Sequence, residues 1–510
     1  MSYFRSYFLC ALYLPIITDT AAQPVDSLPL FRRIMLDASP AQALPAAILR
    51  NPAAMRFRQD YPLSELSVSY EDTRRGDAAL SQQGNGYGGF GFAARSFVPT
   101  GARGSAFGEA GYSNGTRRNV QWSETADIEW LYPYLTADSA GGSLTSETYR
   151  FSGGYAHTVG QWTWAAQLAY RAMLEYREID PRPRNVVSDL QGSLAAARSA
   201  GADYQIALAV RGRKYGQRGD IDFYNEMNQA TIYHLTGLGM DYVRFAGVQT
   251  DAYYSGWGAG GSIDFFPASR NGFSVSAAYD YFTFRKEMTG MNNLPLVSAD
   301  DHAANVQLSY TASETELAWG ATAGACYRHR TGTEHIFGDP AGNIYPQIGS
   351  NEAYTSRIAN GTLSGFVGSL PAARTVWWVE PSVSYLDFQS EYAPARREMS
   401  FSRWQAGVDG TVMRTWRRWM LRAEAGASRS GKIKGILSLP GADFSTSRIR
   451  SLRDDYRYLT DSFTRVRIEL QVDCRVGNER ALFVRGGWTR DWFRESGTAD
   501  GWTVGVGFGF

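Results

Sequence analysis

The stretch Gly501-Trp502-Thr503-Val504-Gly505-Val506-Gly507-Phe508-Gly509-Phe510 decides the fold. In an extended chain successive side chains point to opposite sides, so Trp502, Val504, Val506, Phe508 and Phe510 share one face. Thr503 and the three glycines Gly505, Gly507 and Gly509 make the other. A strand with one wholly apolar face would be an aggregation hazard at the edge of a soluble sheet. It suits the closing strand of a membrane barrel, with its apolar side toward lipid and small residues toward a lumen.

The same alternation recurs upstream. In 162–171, Trp162, Trp164, Ala166, Leu168 and Tyr170 oppose Thr163, Gln167 and Arg171. In 465–476, Val466, Ile468, Leu470, Val472, Cys474 and Val476 oppose Arg465, Arg467, Glu469, Gln471, Asp473 and Arg475. A soluble sandwich also alternates, but its strands average only about five or six residues. The runs here are about 10–16 residues, long enough to cross a bilayer at a tilt of about 45°.

Connection lengths provide a second, independent test, because barrel strands are joined alternately by long outer loops and short inner turns. Reading back from Phe510, 494–500 is an outer loop and 476–479 a tight turn; 431–459 is long and Arg414-Thr415-Trp416 tight. The pattern continues through 392–398 and 370–373, 331–354 and 312–314, 288–301 and 267–272, and 216–250 and 199–202. The expectation is an all-β, closed antiparallel transmembrane β-barrel of about 14–18 strands over residues 64–510. Segments 121–132 and 231–248 are read either as loop structure or as two further strands.

At the other end, Arg5, the apolar run 7–17 and the small residues Thr20-Ala21-Ala22 have the order of a secretory signal peptide, expected over 1–22. Beyond it only Cys326 and Cys474 remain, too few for a disulfide framework. Lys+Arg 51 against Asp+Glu 50 gives a net charge of +1, which excludes a nucleic-acid footprint. No apolar run is long enough for a spanning helix, while 14% aromatic residues suit the girdles of a barrel.

Two end motifs carry resemblances. The C-terminal strand, with Trp502, Phe508 and Phe510, resembles the signal by which bacterial outer-membrane barrels are recognised and inserted. Asn51-Pro52-Ala53, just ahead of the first strand, resembles the hatch segment of the long-chain fatty-acid transporter family of outer-membrane barrels. The whole chain looks more like an uncharacterised outer-membrane barrel family of Bacteroidota than like those transporters. These resemblances imply the outer membrane of a Gram-negative bacterium, with its lipids and its barrel assembly machinery as partners. They carry over no substrate residues and imply no cofactor. Residues 23–63 are then a hatch in the periplasm or lumen, since irregular backbone is too costly in lipid.

Lumen-lining candidates are Arg422, Glu424, Arg465, Arg467, Glu469, Asp473, Arg475 and Arg485. Inward charges select solutes, or pair across strands and stiffen the wall. The expectation is that the hatch packs into the inner opening against Arg465, Arg467 and Glu469. Asp180-Pro181-Arg182-Pro183-Arg184 is either a rigid turn or a constriction folded into the lumen. His157, His234, His302, His329 and His335 show no metal spacing, so neither a metal nor an enzymatic site is expected. Two functional readings stay open. One is a channel or accessory in solute uptake; the other is an anchor whose outer loops dock a surface lipoprotein, a TonB-dependent receptor or a secretion component.

Overall fold

The computed structural model describes residues 28–510, apart from 77–79, 226, 228, 248–250, 315, 343, 371–373 and 478. The expected leader at 1–22 and most of the turn at 370–373 lie outside these residues.

Eighteen strands form one antiparallel sheet in which chain neighbours are sheet neighbours. The sheet closes where Thr498–Gly509 pairs with Leu63–Arg75, with Val68 opposite Val506 and Glu65 opposite Gly509. Ser64 and Phe510 exchange backbone hydrogen bonds of 2.8 and 3.0 Å at the end of this seam. Closure leaves no strand edge to be satisfied by lipid. The count is the upper end of the expected range. Neither ambiguous segment adds to the wall: the first contributes the helix Ile128–Leu131, and the second Tyr233–Gly237 and Met240–Asp241, which with Thr136–Ala137 form a separate three-stranded sheet.

The outward face is apolar as alternation demands. Trp162, Trp164, Ile468, Leu470 and Val504 are all exposed, while Val466 is half-buried. One of the small inward residues of the last strand has a specific cause: a Cβ on Gly507 would lie 2.2 Å from Phe483 Cζ of the preceding strand. At the short-turn end Gly160 and Gly201 take φ of 60° and 81°, the left-handed conformation that tight reversals require.

The wall is uneven in height. Strands at the seam have 12 or 13 residues, whereas Leu317–Phe337 and Gln347–Ser369 have 21 and 23. At about 3.3 Å per residue and a tilt near 40°, these correspond to roughly 33 Å and 58 Å of height. The far wall therefore stands well above a hydrocarbon layer of about 30 Å. Several expected loops are consequently strand. The region 288–301 shrinks to the short connection between Met288 and Leu294, and 331–354 to that between Phe337 and Gln347.

Candidate functional site: the lumen and the two segments packed inside it

The hatch fills the short-turn end. In Leu30–Ala38, Leu30, Phe31, Ile34 and Met35 fall on one helical stripe. That stripe packs against Val376, Trp378, Met413 and Met420 on the inner wall. Further on, Leu44, Ile48, Ala53 and Ala54 lie against Phe266 and small wall residues including Ala165, Ala195, Ala197 and Ala207. The alanines leave room for a chain to run along the wall without opening gaps.

Asn51 is the anchor of this segment. Its Oδ1 accepts a bond from the Ala53 amide at 3.0 Å, an Asx turn that fixes the Asn-Pro-Ala bend. Its Nδ2 donates to Asp264 Oδ2 at 2.8 Å, and both residues are completely buried. Asp264 also accepts from Ser276 at 2.6 Å and Ser262 at 3.1 Å. Around this anchor Arg50 pairs with Asp280 at 3.0 Å and Arg58 with Asp37 at 3.0 Å. Arg33 meets the Glu479 carboxylate and donates to the Pro62 carbonyl at 3.0 Å.

A second plug fills the loop end. Asp127, in a left-handed conformation at φ 53°, takes Arg171 in a two-pronged contact of 2.8 and 2.5 Å and the Tyr215 hydroxyl at 3.0 Å. Arg177 bridges Glu124 at 2.7 Å and Asp138 at 2.8 Å, with side chains of all three at most 1% exposed. Arg330 donates to the Tyr132 carbonyl at 2.6 Å and Arg397 to the Leu238 carbonyl at 3.0 Å. Wall arginines thus hold backbone carbonyls that have no partner in regular structure.

The helix Ser447–Thr460 packs against this plug. Arg448 pairs with Asp241 at 2.7 Å, and Asp455 accepts from the Ser81 amide and hydroxyl, each at 2.7 Å. Burial pushes the Asp455 carboxyl up to about 6. Burial also holds His234, paired across the small sheet with Thr136, well below its usual range and therefore neutral.

Between the plugs lies a polar chamber. One cavity of ≈ 530 Å³ is lined by Glu65, Arg95, Glu109, Arg150, Arg171 and Asp189 among others. Another, of ≈ 400 Å³, has Arg50 of the hatch and Trp130 of the loop-end plug in its lining. The Arg213 guanidinium stacks 3.9 Å from the Trp130 ring centre and pairs with Asp189 at 2.9 Å. Arg211 pairs with Asp280 at 2.9 Å, and Arg328 with Asp301. Arg150 has no ion-pair partner among the described residues. The chamber presents a charged surface to open space.

The residues expected to line the lumen have the inward parity, opposite the exposed Leu421, Ile468, Leu470 and Val484. Most of them are held in ion pairs along the wall. Arg422 meets Glu424, Arg465 meets Asp491 at 2.6 Å, Arg467 meets Asp409 at 2.9 Å, and Arg485 lies 4.0 Å from Glu469. Asp473 is buried and accepts from Gln471 at 3.1 Å, while Arg475 is exposed beside the turn. The expected contact of the hatch with Arg465, Arg467 and Glu469 is corrected. Their partners lie on other wall strands, Asp491 and Arg485 on the next strand and Asp409 two strands away, and the hatch instead engages Asp264, Asp280 and Glu479.

The proline-arginine segment is a brace rather than a constriction. Asp180 accepts the Tyr224 and Asn225 amides at 2.9 and 2.7 Å, Arg182 stacks 4.9 Å from the Tyr224 ring, and Arg182 already begins a wall strand. The loop-end plug was missed by sequence reasoning. Its available signal was the clustering of Glu124, Asp127 and Asp138 within a stretch lacking strand alternation.

Residues 52–510 match a family described as "Family of unknown function (DUF6850)". No curated protein matches the sequence. Among solved structures, the chain is similar to the ferric preacinetobactin receptor BauA of Acinetobacter baumannii, with a TM-score of 0.38, 9% identity, and 89% of this chain and 80% of that one covered. A mutant of the ferric enterobactin receptor PfeA of Pseudomonas aeruginosa gives 0.38, 8%, 88% and 80%. A bacterial polysaccharide outer membrane secretin gives 0.34, 8%, 88% and 97%. Superpositions this loose carry no argument about cargo or partners.

Proposed function

Since the chain belongs to this family of unknown function, we propose its role from geometry: a doubly gated outer-membrane channel, or channel accessory, for uptake of small polar solutes. The supporting observation is the charged chamber whose linings include Arg50 from one plug and Trp130 from the other. A merely structural filling would extend through the middle of the barrel. Here the two plugs stop short of each other and leave Arg150 and the paired arginines facing open space.

The likeness of Asn51-Pro52-Ala53 to the hatch of the long-chain fatty-acid transporter family points toward gated passage as well. In this reading Arg422, Glu424, Arg465, Arg467, Glu469, Asp473, Arg475 and Arg485 form the stiffened wall near the seam, and solute contact falls to the arginines of the chamber.

A second reading, docking of a surface lipoprotein, a TonB-dependent receptor or a secretion component, has one observation in its favour. Val243 and Ile344 remain 76% and 63% exposed at the loop end. Liposome swelling with small sugars and amino acids separates the two. Channel function predicts solute-dependent swelling that rises when the hatch is removed. Swelling indistinguishable from protein-free liposomes in both forms would reject it in favour of docking.

A further inference from the structure

The outward face carries a polar rung that lipid tails do not explain. His302 stands directly opposite His329 on the neighbouring strand, and His329 directly opposite Arg357 on the next. Tyr281 flanks the rung beside His302, its ring centre 5.0 Å from the imidazole. These positions share the parity of the exposed Val306 and Leu308, Trp319 and Tyr327, and Leu363 and Val367 on the three strands. The rung therefore faces the membrane rather than the lumen.

Its height follows from the sequence of one strand. The outward positions of Leu317–Phe337 run Leu317, Trp319, Ala321, Ala323, Ala325, Tyr327, His329. From Trp319 to Tyr327 is about 26 Å along the strand, or roughly 20 Å of height at a tilt near 40°. That is an apolar band framed by two girdle aromatics, with His329 one step above the upper one. Lipid headgroups, and their phosphates, lie at this level.

The rung has spare hydrogen-bonding capacity. Arg357 is exposed and has no ion-pair partner among the described residues, and His329 is half-buried with its Nδ1 turned into the wall, which leaves Nε2 as the nitrogen available to a ligand. The carboxylates around the rung are engaged: Asp300 accepts the Tyr281 hydroxyl at 2.5 Å, and on the strand beside Arg357 Asp387 lies 3.6 Å from Lys434 while Glu391 accepts from Gln389 at 2.5 Å; the Tyr279 hydroxyl meets His302 Nδ1 at 2.6 Å. An arginine fork beside two imidazoles matches the charge and donor geometry of a phosphate oxygen set.

We propose that His302, His329 and Arg357 bind the phosphate of a lipid headgroup in the loop-side leaflet. The inference rests on the membrane-spanning reading and is independent of channel activity.

Full-length protein is refolded into phosphatidylcholine nanodiscs doped with lipid A or with its dephosphorylated form, and retained lipid is counted by native mass spectrometry. Wild type should retain the phosphorylated lipid about tenfold better, the scale of one charge-assisted hydrogen bond. Arg357→Lys should keep most of that preference. The double variant His329→Gln with Arg357→Gln should lose it while keeping wild-type heat-modifiable mobility. Equal retention of the two lipids by wild type, or an unchanged preference in the double variant, overturns the proposal. Failure of wild type to enter nanodiscs at all would instead overturn the membrane reading beneath it.

Discussion

Replacing Asn51 with alanine isolates the hatch anchor. The substitution removes two hydrogen bonds from a site without solvent: the 3.0 Å bond that shapes the bend, and the 2.8 Å bond to Asp264. A bond to a charged group contributes about 1.5–3 kcal/mol and a neutral one about 1 kcal/mol. Asp264 keeps Ser276 and Ser262, so its loss falls at the lower end of that range. The expected weakening of hatch docking is then about 2–3 kcal/mol, a roughly 30- to 150-fold rise in the undocked fraction. Hydrogen exchange reads this directly, because amides that exchange through local opening speed up by the same factor. Faster exchange should be confined to the segment around 44–57, with wall amides unchanged. Uniform acceleration across the barrel, or no change within the hatch, would refute the assignment of Asn51 as a local anchor.

Other outcomes follow from the same structure. Arg177→Ala leaves Glu124 and Asp138 buried without a cation and should cost about 3–5 kcal/mol locally; limited proteolysis should then cut within 121–141, where wild type resists. Changing Phe510 to a charged residue should reduce barrel assembly without blocking export, because the closing strand meets Leu63–Arg75 through this end; wild-type levels of heat-modifiable protein would count against it. Asp455 binds its proton more tightly folded than unfolded, so its contribution is present at low pH and is lost as pH rises from roughly 4 through about 6. The contact between Ser447–Thr460 and Ser81 should therefore loosen above pH 6, seen as faster exchange after correction for intrinsic rates, and an Asp455→Asn variant should show no such step.

The wall was legible in the sequence because lipid outside and water inside impose a period of two over long runs, as in 465–476. Legibility faded at the strand tops. In Leu294–Ser313, Leu294, Leu296 and Ala299 are buried against the loop-end plug, and outward contrast disappears above the apolar belt. The region 288–301 thus reads as loop although most of it is strand. The plugs were harder still. Asn51 was visible as a motif, yet its partner Asp264 lies 213 residues away, and no local pattern encodes that contact. The helix Leu30–Ala38 does leave a stripe, in Leu30, Phe31, Ile34 and Met35, but nine residues give only about two turns of periodicity. The charges at 465–475 were visible as an inward set, whereas their choice of wall partners depends on strand register.

Two plugs in series make a specific electrical claim, because resistances in series add and either plug alone still limits the current. Single-channel conductance should be compared for the wild type, a hatch deletion lacking 23–55, Arg177→Ala, and the two changes combined. The account predicts near-closed records for wild type, small or intermittent openings for each single change, and a large steady conductance only in the combination. Full conductance from the hatch deletion alone, or a closed barrel in the combination, would contradict it.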